Sequence, residues 1–172
     1  MIIRNIEVKR QTIPLKKPFK TALRTVVNAE SVLVKVTTES GFAGWGEAPS
    51  TVVITGDSLD SIESAILNVM RPQLIGENLL AHERVFHIIH QSMVGSSSAK
   101  AALDMALYDI LAQRCGLPLY QFLGGYRNQI ETDYTVSVNS PEEMGEDATR
   151  YIAAGFNVLK IKVGKDNVQE DI

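Results

Sequence analysis

Thr132-Asp133-Tyr134-Thr135-Val136-Ser137-Val138 and Asn157-Val158-Leu159-Lys160-Ile161-Lys162-Val163 are two short runs of alternating character. Each has the period of two expected of a strand. Between them, Ser140-Pro141-Glu142-Glu143 supplies a serine cap, a proline in the first turn and a glutamate reaching back to the cap, which is a strong helix start. That helix ends near Gly155. The connections are short, so the unit reads as β–α–β with parallel strands and a right-handed crossover. Two parallel strands and one helix cannot cover both faces of their sheet, whereas parallel sheets occur with both faces covered. A whole (β/α) barrel needs about 250 residues, and this sequence has 172. The expectation is an α+β region followed by the start of a (β/α) barrel, truncated at Asp171-Ile172 where the next helix should be forming.

Upstream, the first third reads as antiparallel strands. Ile6 and Val8 alternate with Glu7 and Lys9, and Val32, Val34 and Val36 with Leu33 and Lys35. Pro14 to Thr25 is basic, holds two prolines and lacks periodicity, so it is expected to be a long loop of the kind that often carries function. Glu39-Ser40-Gly41 should turn the second strand into a third, Phe42 to Glu47, and residues 53–58 form a second loop. Three helices follow. The first spans about Leu59 to Met70, with Pro72 just past its end, and the second spans about Leu79 to Met93 behind Asn78. In the third, Ala99, Ala102, Leu103, Ala106, Leu107, Ile110 and Leu111 keep an unbroken amphipathic pattern. Serines precede it, Gly116 and Pro118 end it, and its alanines permit close approach by a neighbour.

Composition narrows the function classes. Hydrophobic residues make up 45% of the chain and its net charge is −3. The basic residues are scattered, which argues against a nucleic-acid partner. No apolar run reaches the roughly 18 residues that span a membrane, and Met1-Ile2-Ile3-Arg4 lacks a signal-peptide layout. A single cysteine, Cys115, excludes an intrachain disulfide framework and fits a cytoplasmic location.

The residues suited to chemistry are few. Lys160 and Lys162 share one face of their strand, about 6–7 Å apart, while Leu159, Ile161 and Val163 point the other way. Barrel enzymes place catalytic groups at the C-terminal ends of strands. Burial and mutual repulsion would lower a lysine pKa toward the range of a general base. The competing reading is an edge strand with two solvated lysines. Arg24, on the proline-bounded loop, could clamp a carboxylate, though loop arginines are usually solvated. Thr135 shares parity with Ser137 and could touch substrate from an inward position. His87 and His90 share a helix face, but His82 does not join them and no carboxylate completes a metal set. Cys115 reads as packing. Gly41, Gly44 and Gly46 are not followed by the helix a dinucleotide fingerprint requires. Asp104 and Asp109 read as partners for arginines or caps for neighbouring elements.

Ala101-Ala102-Leu103-Asp104-Met105-Ala106-Leu107-Tyr108-Asp109 through Gly124, Gly44-Trp45-Gly46-Glu47-Ala48 and Lys160-Ile161-Lys162 together resemble the enolase superfamily, in its muconate-lactonizing subgroup. Lys17 to Thr25, Ile54 to Ser58 and Thr132 to Asn139 are similar, at closer range, to the dipeptide epimerases of the L-Ala-D/L-Glu type. The resemblance implies a capping domain over residues 1–125 and an enolase-like barrel opening over 126–172. It implies Lys162 as the base on one face of a dipeptide, and Lys160 as a carboxylate contact that helps depress its neighbour's pKa. Arg24 and Thr135 would hold the substrate, and the loops bearing Arg24 and Ile54-Thr55 would close over it. It implies Mg²⁺ in the complete enzyme to stabilise the enediolate, with metal ligands and an opposing lysine from later strands absent from these residues, and a homo-oligomeric assembly. The alternatives are another subgroup reaction (N-acylamino-acid racemisation, o-succinylbenzoate synthesis, muconate cycloisomerisation) or a truncated chain without catalysis.

Overall fold

The computed structural model describes residues 1–21 and 23–164. The helix expected after Val163 lies outside the described residues.

Three strands form an antiparallel meander in the order β1-β2-β3: β1 (Ile3–Lys20), β2 (Thr25–Thr38) and β3 (Ala43–Pro49). β1 is far longer than its alternating apolar residues suggest, and it takes up most of the stretch expected as a loop. Pro14 and Pro18 are compatible with this because β1 is an edge strand, where a missing N–H costs no ladder bond if it faces outward. The N–H of Lys20, of the same parity as both prolines, points away from β2 and donates to the Ser137 hydroxyl at 3.3 Å. The N–H of Thr21, of the other parity, donates to the Arg24 carbonyl at 2.9 Å and closes the hairpin.

The chain divides into two compact units. One comprises Met1–Ile13 and Ala29–Tyr126; the other comprises Pro14–Asn28 and the chain from Arg127 onward. The segment 14–28 thus groups with the β–α–β unit, not with residues 1–125 as a contiguous domain would require.

In the first unit, the β2–β3 register sets Val32, Val34 and Val36 beside Ala48, Gly46 and Gly44. The three valines and Ala48 are fully buried. Against this face lies α5 (Ser97–Arg114), which buries Ala99, Ala102, Leu103, Ala106, Leu107 and Ile110. The approach is close enough to exclude a side chain from the two glycines. A Cβ built on Gly46 would stand 1.9 Å from the Ala102 carbonyl oxygen, and one on Gly44 would stand 2.0 Å from that of Ala106. Polar ties finish the contact, with Trp45 N–H donating to Asp109 at 3.1 Å and Gln113 donating to the Ala43 carbonyl at 2.8 Å. Asp109 therefore binds a strand amide instead of an arginine.

The remaining helices depart from expectation in local ways. α1 (Val52–Thr55) stands where a loop was expected, and the first long helix does not stop before Pro72. It runs as α2 (Leu59–Ser64), a π-helical stretch (Ala65–Met70) and α3 (Arg71–Leu74), with Pro72 in α3's first turn. A proline clashes with the carbonyl four residues earlier, and the wider π turn shifts that pairing, as the Arg71 N–H bonding to Ile66 O shows. A 3₁₀ turn (Leu79–Ala81), capped as expected by Asn78, leads into α4 (His82–Gln91), and α6 (Leu119–Phe122) follows α5. The serines before α5 do not cap it, since Ser96, at the cap position with φ +50°, makes no side-chain bond. The nearly buried carboxylate of Asp57 accepts the Ser98 N–H instead, at 3.2 Å. Cys115 is exposed at the end of α5, so it is a capping position and not a packing one. Among the described residues no helix is long and apolar enough to cross a membrane.

In the second unit, β4 (Tyr134–Val136), α7 (Pro141–Ala153) and β5 (Leu159–Ile161) form the expected β–α–β element with β4 and β5 parallel. Ser140 caps α7 by accepting the Glu143 N–H. The strands are shorter than the alternating runs that signalled them.

Candidate functional site

The face of each strand residue is fixed by what α7 covers. Tyr134 packs its ring 4.0 Å from Tyr151 and 4.8 Å from Phe156, centroid to centroid, and Val136 is fully buried. Thr135 and Ser137 consequently point away from α7. The register pairs Tyr134 with Leu159, Thr135 with Lys160 and Val136 with Ile161. Paired residues in a sheet share a face at strand spacing, about 4.8 Å, so Thr135 and Lys160 are neighbours on the face that α7 leaves open. Lys162 has the parity of Lys160, and its N–H donates to the Val136 carbonyl at 3.2 Å, carrying the ladder past Ile161.

Both lysines thus stand at the C-terminal end of β5, on one face with Thr135. Their enclosure differs from the expectation of a buried pair, because Lys160 is exposed and Lys162 half-buried. Among the described residues neither ammonium has an acidic partner. On the opposite face, Ile161 is 48% exposed and Val163 55%. One helix cannot cover two strands, which accounts for both observations.

Arg24 is brought to this unit by its hairpin. The Thr21 hydroxyl accepts the N–H groups of Leu23 and Arg24, each at 3.2 Å, so Arg24 sits half-buried in a defined turn. The hairpin meets the end of β4 through Lys20. Its carbonyl accepts the Val138 N–H at 3.4 Å, its N–H donates to Ser137, and its ammonium donates to Asn139 at 2.6 Å. Lys17 donates to Asp147 at 2.5 Å and pairs with Glu143 at 2.8 Å, both on α7. These two carboxylates hold the Lys17 ammonium above the ordinary lysine range, its hydrogen bond to Asp147 contributing most. None of these anchors was singled out from sequence. The lysines were visible there only as charge in a basic stretch, and their partners lie more than 100 residues away.

Ile54 and Thr55 belong to the other unit. Thr55 turns its hydroxyl back onto Thr51, while Ile54 is 69% exposed beside Val52 and Val53, each 58% exposed. The histidines also lie in that unit. His87 and His90 line an open cavity of about 440 Å³ with Glu83, Phe86, Asp104 and Tyr108. Burial raises the Asp104 carboxyl above its usual range, with His90 pulling weakly the other way.

Residues 3–124 match the N-terminal domain of the mandelate racemase / muconate lactonizing enzyme family. The chain belongs to that family. It is 62% identical, over all 172 of its residues, to the L-Ala-D/L-Glu epimerase of Bacillus subtilis (strain 168), covering 47% of that protein. It is 48% identical over 166 residues to the L-Ala-D/L-Glu epimerase of Clostridium acetobutylicum, covering 96% of this chain and 46% of that one. A substrate-liganded complex of the L-Ala-D/L-Glu epimerase from B. subtilis superposes with a TM-score of 0.97 at 62% identity, over 99% of this chain and 48% of that one. The chain therefore spans about half the length of the relatives it matches, and it matches their N-terminal portion.

Proposed function

We propose that this chain forms the N-terminal part of a dipeptide epimerase of the L-Ala-D/L-Glu type, acting by proton transfer at the carbon α to a carboxylate. The observation that carries the reading is the placement of Lys160, Lys162 and Thr135 on one face at the C-terminal end of a parallel strand pair. Lys162, as the free amine, takes the α-proton. The electron pair left behind spreads into the carboxylate as an enediolate, which the Lys160 ammonium faces. Thr135 offers a hydroxyl beside Lys160, and Arg24 a guanidinium suited to bidentate carboxylate binding. Inversion requires a second acid/base on the opposite face of the substrate.

Among the similar structures, a dipeptide epimerase from Enterococcus faecalis V583 was solved with Mg and the dipeptide L-Leu-L-Tyr. Among the described residues no group of three or more His, Cys, Asp or Glu could hold a metal ion. These residues do not fit Mg²⁺.

The test joins this chain to the C-terminal half of the B. subtilis relative and follows deuterium uptake from solvent at the glutamyl α-carbon of L-Ala-D-Glu and L-Ala-L-Glu. Lys162→Ala is expected to lower exchange by about 10²–10⁴-fold, the usual contribution of a positioned general base. Undiminished exchange in that variant, or turnover of N-acylamino acids in place of any dipeptide, would refute the proposal. The 172-residue chain alone is expected to show no exchange, because its lysine face is open to solvent.

A further inference from the structure

We propose that Lys17 and Asp147 form a clamp that sets the position of Arg24, making both positioning residues for the candidate site; this rests on the reading that Arg24 holds substrate. The Asp147 side chain is 2% exposed on α7 and takes two cations, Lys17 from the hairpin and Arg150 from its own helix, each at 2.5 Å. A buried carboxylate is tolerated only when paired, and the hairpin supplies one of the two cations that Asp147 takes. Lys17 lies between Asp147 and Glu143, one turn apart on the same helix face.

Three residues further along β1, Lys20 makes the second attachment, using its N–H, carbonyl and ammonium on Ser137, Val138 and Asn139. Thr21 then closes the turn onto Arg24. Only three residues lie between Lys20 and Arg24, so the second attachment stands close to the turn that carries the guanidinium. The clamp couples α7, which crosses between the two strands of the lysine face, to the hairpin whose turn presents the guanidinium.

The test uses the whole chain and amide hydrogen exchange. The Lys20 and Val138 N–H groups are the donors at the second attachment, so they report on the clamp. In Asp147→Asn and in Lys17→Met their exchange should accelerate by about tenfold or more while amides in α5 keep their protection, as for a local opening. Lys17→Arg should restore protection, since it keeps the charge. Arg10→Ala, which removes the Arg10 pairs with Asp60 and Glu63 in the other unit, should leave both amides unchanged. Unaltered exchange in the two clamp variants, or acceleration shared equally by α5, overturns the clamp. In the joined enzyme, Asp147→Asn should raise KM for L-Ala-D-Glu by about fivefold or more with kcat within about twofold, the pattern of lost uniform binding. An unchanged KM alongside loosened amides overturns the positioning role. Inactivity of the unsubstituted joined enzyme on every dipeptide counts against the proposed function instead, and the exchange measurement still decides the clamp.

Discussion

Gly46→Ala isolates what holds the sheet to α5. The new methyl carbon would meet the Ala102 carbonyl oxygen at 1.9 Å and its carbon at 2.7 Å. These are backbone atoms of a helix, so no side-chain rotation relieves the clash. Restoring an ordinary contact of 3.4 Å moves strand and helix apart by about 1.5 Å, and a gap of 0.5–1 Å already forfeits a quarter to a half of a dispersion contact. Overpacking usually costs about 1–3 kcal/mol. A backbone obstruction belongs at the upper end, about 3 kcal/mol, against a total stability of about 5–15 kcal/mol. Trp45, the only tryptophan in the chain, stands beside Gly46 and reports the transition by fluorescence. With a urea slope of about 1–3 kcal/mol/M, the midpoint should fall by about 1 M or more at unchanged slope. A midpoint within about 0.2 M of the parent would show that the sheet and α5 can separate at little cost, and the argument for the two glycines would fail.

Other substitutions probe separate features. Asp57→Ala removes the acceptor for the Ser98 N–H at the start of α5 and should cost about 1–2 kcal/mol, measured by the same urea titration; Asp57→Asn should recover part of the loss. Asp104 has its carboxyl raised by burial, so folding takes up protons and stability falls as pH rises from the unfolded pKa through the folded one. Asp104→Asn should therefore stabilise at pH 7, by no more than about 0.5 kcal/mol because solvent screens a half-buried site, and the gain should vanish below the ordinary carboxylate range; a gain largest in acid would reverse the assignment. Gly145, exposed inside α7 with nothing within 4 Å of a built Cβ, should accept alanine with a gain of about 0.5–1 kcal/mol, read as a raised melting temperature of the second unit.

Local regularity made part of this fold legible. The β–α–β element, its Ser140 cap and the long amphipathic α5 each advertise themselves locally, and parity alone puts Lys160 and Lys162 on one face, whereas it is the β4–β5 register that sets Thr135 beside them. Pro14 and Pro18 misled because a breaker in isolation looks like a loop, and only the knowledge that β1 is an edge strand shows where their missing N–H groups point. Pro72 misled for a related reason, since a π turn can absorb a proline and has no simple sequence mark. The partners of Lys17 and Lys20 were out of reach, because pairing across more than 100 residues leaves no periodic trace. The degree of enclosure around the lysines was also not legible, because it depends on what covers the other edge of β5.

The span of the Lys20 attachments has a consequence for biosynthesis. β4 and β5 pair residues 25 apart in the chain, so this element can close as soon as it clears the ribosome. Lys20 meets Ser137 across 117 positions, and at translation speeds of about 5–20 residues per second its partner arrives about 6–23 s later. For that interval the hairpin tip waits with its lysines unpaired, while the helices of the other unit can already assemble. The segment carrying the guanidinium is thus among the earliest parts made and among the last to find its place.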